Sequence, residues 1–392
     1  MYFVLLIHRL RPGEYGDFAY AVSWLSIFVA LADGGFSRLL LRDVGRAAED
    51  RPRIVWELLG VRSQWLAATA VLVAIAIPLG AFHFGTAFSV VLVLALVLEA
   101  ASLGFEAAGQ AADSPWVVSA AQLVAAITLA GWALVLLLRS EVTTLMGLAG
   151  IAAASAVRLA VQAWYWFRRR PERMPRPGRA QTIARLREAL PYLLLAGLAA
   201  LYYRLDVVVL HQRRGAVETA PYAAAYRVVD AVLVVGGVVF VAIAPHMSRV
   251  MARGKEAVWS EWRRYVTRVG CAAVLTGVVI AILAEPLSRV LFGERYAKSA
   301  GENLTLLAPG ITFMLMHMVN AAVVLMADDK RTILKLSVAN VTLNLAVTWV
   351  LAGAYGARGA SVATSLAEAG SFVAFALLVR ARYRPRPAAA AS

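Results

Sequence analysis

The chain has 392 residues, of which 61% are hydrophobic and 16% charged, with a mean hydropathy of +0.69. That much apolar sequence excludes a soluble domain of this length, because runs of about 20 apolar residues recur throughout and each can span a bilayer as a helix. A formal net charge of +15 would fit nucleic acid, but the basic residues cluster in alternate loops, and nucleic-acid binding is excluded on that ground.

In chain order the apolar runs fall at 17–36, 64–82, 85–108, 115–138, 143–167, 190–211, 221–245, 266–284, 303–326, 333–353 and 357–380. These predict eleven complete spans. The segment Met1–His8 precedes them and rises only about 12 Å as a helix, too little for a core about 30 Å thick. It lacks the basic start and cleavage site of a signal peptide. The expectation is a clipped first helix of a twelve-helix chain, with Met1 an internal methionine; N-terminal mass analysis of the native protein tests this.

Of the 39 Lys and Arg residues, 27 lie in the loops 38–62, 168–187, 249–268, 330–335 and 380–386, nine in the opposite loops, and three (Arg158, Arg204 and Arg227) within spans. The asymmetry follows the positive-inside rule and places both termini in the cytoplasm of a multi-pass bacterial inner-membrane protein. The surplus suits contact with an anionic inner leaflet. Cys271 is the sole cysteine and reads as a small core residue. It offers no disulfide framework or metal site.

The longest polar stretch, 168–189, has three prolines and eight arginines. It divides the chain into an N-terminal lobe (1–167), a basic cytoplasmic linker (168–189), a C-terminal lobe (190–380) and a cytoplasmic tail (381–392). Gln181–Ala189 is expected as a short helix on the membrane surface. Gly16–Ala21 and Ala220–Ala225 are similar at an offset of 204 residues. With six helices per half, this is a parallel repeat: two lobes related by a pseudo-two-fold axis along the membrane normal, with a site between them. Ser114 and Pro115 mark a helix start, and Pro191 and Pro221 are expected to open helices likewise. Pro309-Gly310 should kink the tenth span, and Asp33-Gly34-Gly35 should loosen the end of the second.

Charges at membrane depth cost at least about 3 kcal/mol on insertion scales and mark wet cavities or ion paths. Arg204 and Asp206 are two residues apart and point to different sides of a helix, whereas Arg227 and Asp230, at i and i+3, can pair. Asp206 is open to several roles: a proton or cation site, or a partner of Arg158 or Arg227. Glu99, Ser102, Glu106, Gln110 and Asp113 share one helical face. Further stripes comprise Ser23, Ser26 and Asp33; Ser155, Arg158 and Gln162; Ser337, Asn340, Asn344 and Thr348; and Ser361, Ser365, Glu368 and Ser371. The small polar residues suit hydrogen bonding between helices. Glu99, Arg158 and Glu368 suit a cavity. The five histidines form no spaced pair, and only His317 lies where a proton relay would. The sequence has no HExxH, Walker or GxSxG motif, and the chain reads as a transporter, not an enzyme, with no cofactor.

The segments Arg11-Pro12-Gly13-Glu14-Tyr15-Gly16, Asp33-Gly34-Gly35-Phe36 and Leu41-Arg42-Asp43-Val44-Gly45 resemble the opening of Wzx-type polysaccharide flippases. Leu190-Pro191-Tyr192, Tyr203-Arg204-Leu205-Asp206, Pro221–Arg227, Ala244-Pro245, Leu291–Tyr296, Ala339–Leu345 and Gly356–Ser361 continue the resemblance in order. It implies the fold of the multidrug/oligosaccharidyl-lipid/polysaccharide exporter superfamily, an all-α polytopic protein with two six-helix lobes around a central cavity. The implied substrate is an undecaprenyl-diphosphate-linked oligosaccharide, flipped to the outer leaflet by alternating access. Family basic residues carry over to Arg204 and Arg227, and less directly to Arg158. Asp33, Glu99, Asp206, Asp230 and Glu368 are the carboxylates that could take a coupling proton or sodium. The alternatives are a multidrug or cation antiporter, a lipid II flippase, and a membrane glycosyltransferase or polymerase.

Overall fold

The computed structural model describes residues 2–46, 51–77, 84–112, 114–170, 177–327 and 330–385. Asp113, His83, part of the expected linker (171–176) and most of the expected tail (386–392) lie outside the described residues. Among those described there are twelve helices and no strand, and ten helices are long and apolar enough to cross a membrane. They are α1 (Tyr2–Arg9), α2 (Pro12–Asp33), α3 (Phe36–Arg46), α4 (Arg51–Ala76), α5 (Thr86–Ala111), α6 (Pro115–Leu137), α7 (Thr144–Arg168), α8 (Arg179–Arg214), α9 (Ala216–Met251), α10 (Lys255–Phe292), α11 (Glu294–Met326) and α12 (Lys330–Tyr383). The last holds two predicted spans, separated by a break at Gly356 with φ of 60°. The protein is an all-α polytopic membrane protein.

The chain forms two compact units, Met1–Arg204 and Leu205–Ser392, with the division inside α8. In the first unit, Phe36, Leu39, Leu40 and Val44 form the buried stripe of α3, at the i, i+3, i+4, i+8 spacing of an amphipathic helix. They join Trp56 and Trp166 in one core. Sequence pattern alone reads this stretch as loop. It also begins the next span at 64, whereas α4 begins at Arg51; Arg62, which falls among the loop charges on that reading, is buried at 3% exposure.

Three sequence expectations about helix ends are corrected. Gln181–Ala189 is no separate surface helix but the opening of α8, with Pro191 inside that helix. Pro221 likewise lies inside α9. Proline in a membrane helix is tolerated where neighbours satisfy the freed backbone groups. The start of α8 is held by charge: Arg185 lies 3.2 Å from Asp43, 3.0 Å from Glu57 and 3.2 Å from Glu188. Arg42 joins Asp43 at 2.6 Å and Glu188 at 3.0 Å, and its hydrogen bond to Asp43 raises its basicity above the ordinary arginine value. The turn after α2 approaches α8 closely: a Cβ on Gly35 would lie 2.5 Å from Leu193 N, and its φ is 77°. Pro115 does open α6, although the Ser114 hydroxyl pairs with Tyr165 at 2.8 Å and does not cap the helix.

In the second unit the break in α12 is closed by opposite charges. Arg214 donates to the Ala354 carbonyl at 2.9 Å and the Ala352 carbonyl at 3.4 Å. Glu218 accepts the Ala357 N–H at 3.1 Å. A cation thus meets the carbonyl end of the first half and an anion the N–H end of the second, each matching the local helix dipole. Near Pro309 the Ser365 hydroxyl donates to the Leu306 carbonyl at 2.7 Å and accepts from the Gly310 N–H at 3.1 Å. It sits between the two ends of one helical hydrogen bond of α11, the kind of insertion that bends helices.

Candidate functional site

Two charge pairs lie on spanning helices in the first unit, and they differ in enclosure. Arg62 Nη2 lies 3.2 Å from Asp33 Oδ1, with side chains 3% and 11% exposed. Arg62 also donates to the Ala100 carbonyl, and Asp33 accepts from the Ser37 hydroxyl. Asp33, expected as a cavity carboxylate, is committed to these partners. Sequence reasoning misses Arg62 because α4 starts in charged sequence. The signal that could have found it is Asp33 itself, a carboxylate at the end of a span that needs a cation.

Arg158 Nη2 on α7 lies 2.7 Å from Glu99 Oε1 on α5, with side chains 15% and 27% exposed. The Ser155 hydroxyl is shared between Glu99 and the Ile151 carbonyl. Arg158 Nε has no hydrogen-bond partner among the described residues. The pair lines a cavity of about 410 Å³ with Tyr2, Ser26 and Ser155 among largely apolar walls from α1, α2, α5, α6 and α7. The stripe on α5 continues inward. Glu106 accepts from Gln122 at 3.1 Å and Gln110 at 3.4 Å, and Ser102 donates to Gln162 at 2.8 Å. One helical face therefore holds both a charged cavity wall and ordinary hydrogen bonds between helices.

In the second unit Arg227 and Asp230 pair at 3.0 Å, as the i, i+3 spacing predicts, with side chains 15% and 26% exposed. Asp206 is buried. Its carboxylate accepts from the Val207 N–H at 2.8 Å, from the Tyr222 hydroxyl, and from Thr364 at 3.4 Å. Tyr222 is a partner that sequence reasoning does not find, and nothing in its apolar surroundings flags it. Glu368 is buried, and Arg204 is half-buried at the last position of the first unit. The polar stripes of α11 and α12 make helix–helix hydrogen bonds. Ser361 reaches Asn303 at 2.9 Å, Asn340 reaches Ser371 at 2.8 Å, and Asn320 accepts from Trp262 at 2.8 Å. His317 is packed edge-on against Phe375 at 4.7 Å. Among the described residues no group of three or more His, Cys, Asp or Glu could hold a metal ion.

The model of the polysaccharide biosynthesis protein family matches residues 1–251, and the chain belongs to that family. No curated protein sequence matches it significantly. Among solved structures it is similar to an inward-facing multidrug resistance MATE family transporter of the MOP superfamily, at TM-score 0.73 and 14% identity, covering 97% of this chain and 93% of that one. It is also similar to the lipid II flippase MurJ in an inward closed conformation, at TM-score 0.69 and 13% identity, covering 97% and 84%. A MOP superfamily transporter from Pyrococcus furiosus matches at TM-score 0.62 and 13% identity, covering 94% and 86%. At these identities the likeness is one of fold: the chain folds as membrane transporters of this superfamily do.

Proposed function

We propose that this member of the polysaccharide biosynthesis protein family flips an oligosaccharide linked to undecaprenyl diphosphate from the cytoplasmic to the outer leaflet of the bacterial inner membrane. The observation that carries the reading is the set of arginines held at membrane depth, with Arg158 paired to Glu99 and Arg227 to Asp230. A charge so placed is costly and is retained for a ligand or ion path. Guanidinium groups suit a diphosphate, which they can bind in bidentate fashion. Arg204 and Arg227 are the first contacts in this reading, with Arg158 as a third. Small polar side chains accommodate the sugars, and the prenyl chain stays in lipid. The two lobes, 1–167 and 190–380, alternate access to the two leaflets. No catalytic step is required.

A proton or sodium ion couples the cycle through one of Glu99, Asp206, Asp230, Glu368 or Asp33. Asp33 is the weakest of these, because neutralising it would leave Arg62 buried without its counter-charge. The test is flipping of a fluorescent prenyl-diphosphate oligosaccharide in proteoliposomes by the parent, Arg204→Ala and Arg227→Ala. Dependence on both arginines supports a diphosphate site. Normal flipping by both variants moves the site elsewhere. Failure of the parent, with export of a cationic dye, favours a multidrug antiporter.

A further inference from the structure

Rings and cations gather at one level where α6 begins and α7 ends. The hydroxyls of Ser114 and Tyr165, 2.8 Å apart, tie the two helix ends together. Trp116 stands edge-on to Tyr165, with ring centroids 5.3 Å apart and planes at 87°. The Arg169 guanidinium lies over the Tyr165 ring at 3.9 Å, and that of Arg168 over Trp164 at 4.2 Å. At about 100° per residue, Arg168 falls between Trp164 and Tyr165 around α7, one turn further on. Both arginines are exposed, and among the described residues neither makes an ion pair. Glu106, near the end of α5, is engaged by Gln122 at 3.1 Å, and Gln122 lies about 120° around α6 from Trp116. Stacking occupies the flat face of a guanidinium and leaves its N–H edge open to a phosphate.

The surface beneath Trp116 is apolar and continuous. Leu123, Ile127 and Leu134 follow it at i+7, i+11 and i+18, so all stand within about 20° of one line along α6. Each is 62% exposed, and Trp116 is 60% exposed. Val118, Ala121 and Leu136 take the opposite side of the helix and are buried. Leu134 lies about 27 Å along the helix from Trp116 at 1.5 Å per residue. The line therefore crosses most of a hydrocarbon core about 30 Å thick. Trp164 is 56% exposed. Exposed tryptophans at the join of charged and apolar surface sit at headgroup level.

We infer that this end of the α6–α7 pair is a binding site for an anionic phospholipid. Arg168 and Arg169 receive the phosphate beside Trp116, and one acyl chain lies along Leu123 and Ile127. The two cations select a charged headgroup over a neutral one. The exposed line beneath Trp116 selects a lipid over a soluble polyanion. The inference stands apart from the identity of the transported substrate.

The test uses the full chain carrying Leu123→p-benzoylphenylalanine, irradiated in vesicles of equal phosphatidylglycerol and phosphatidylcholine. The lipid joined at that position is identified by mass. Adducts of the anionic lipid should exceed those of the neutral one by about tenfold or more. The same photoreactive group in place of Leu275, which is 65% exposed on α10, should give nearly equal adducts and serves as the reference for bulk lipid. The excess at the first position should fall about fivefold for each cation removed, in Arg168→Gln and Arg169→Gln, and weaken in high salt. Thermal melting of these variants should match the parent's, since both side chains are exposed. An excess no greater than at the α10 position overturns the inference, as does one that survives both arginine substitutions. Displacement of the phospholipid by a stoichiometric short prenyl diphosphate also overturns it, because the surface would then belong to the substrate path.

Discussion

Arg62–Asp33 and Arg158–Glu99 are the same chemistry in one helical unit, and their surroundings separate them. The first pair is sealed, with side chains 3% and 11% exposed and hydrogen bonds to a backbone carbonyl and a serine. The second opens onto a cavity, with the guanidinium Nε lacking a hydrogen-bond partner among the described residues. A sealed and satisfied pair is part of the packing. A pair at the wall of a cavity, incompletely satisfied, can exchange its partner for a ligand. Membrane depth alone would have assigned both pairs the same role.

The largest expected effect tests the sealed pair. Arg62→Ala leaves Asp33 buried without its cation and should cost about 3–5 kcal/mol, enough to lose most folded protein. Exchanging the whole pair, Arg62→Met with Asp33→Leu, should restore melting close to the parent's, since apolar replacements of a buried pair are often neutral. Melting in detergent decides this. If the double variant is as unstable as the single one, the pair has a role beyond mutual neutralisation.

Next in size is the clasp on the α12 break. Arg214→Ala removes a charged donor from the Ala352 and Ala354 carbonyls, and Glu218→Gln weakens the acceptor for the Ala357 N–H. Hydrogen bonds to charged groups contribute about 1.5–3 kcal/mol, so Arg214→Ala should cost about 2 kcal/mol and Glu218→Gln less. Amide exchange should quicken first around 352–361. Uniform loss of protection across the second unit would show that the charges do not act locally.

The spans were legible because an apolar run of membrane length has few other fates. The pairing of Arg227 with Asp230 was legible because both residues lie within one helical turn. Arg158 and Glu99 were each legible as cavity charges, but their contact was not, because nothing local links α5 to α7. Arg62 was lost to the span boundary. The charged stretch Arg51–Arg62 reads as loop until α3 and α8 cover it, with Glu57 taken by Arg185. Pro191 and Pro221 read as helix openers because proline favours the first turn. In water that preference would have ended the preceding segment. In the membrane the surrounding helices override it.

A neutral case sharpens the contrast. Ser365 is fully engaged, between Leu306 and Gly310, and belongs with the sealed group although it carries no charge. Ser365→Ala should cost about 1 kcal/mol, because α11 can straighten and rejoin the carbonyl and N–H directly. A loss well above that would mean Pro309 prevents the helix from closing. Exchange at the Gly310 amide reports which outcome holds.

The smallest expected change in stability belongs to the open pair, and it is the most telling. Arg158→Gln removes the cation, but Glu99 keeps the Ser155 hydroxyl and faces a cavity that admits water. Its charge is therefore not stranded, and the cost should stay below about 1 kcal/mol, as for partly solvated pairs. Flipping, by contrast, should fall at least tenfold if Arg158 contacts the diphosphate. Arg158→Lys, which keeps the charge but loses the planar fork, should recover only part of it. A stable variant with intact flipping would assign this pair to packing after all. A variant as unstable as Arg62→Ala would show that a 27% exposed carboxylate still needs its cation, and enclosure would no longer distinguish the two pairs.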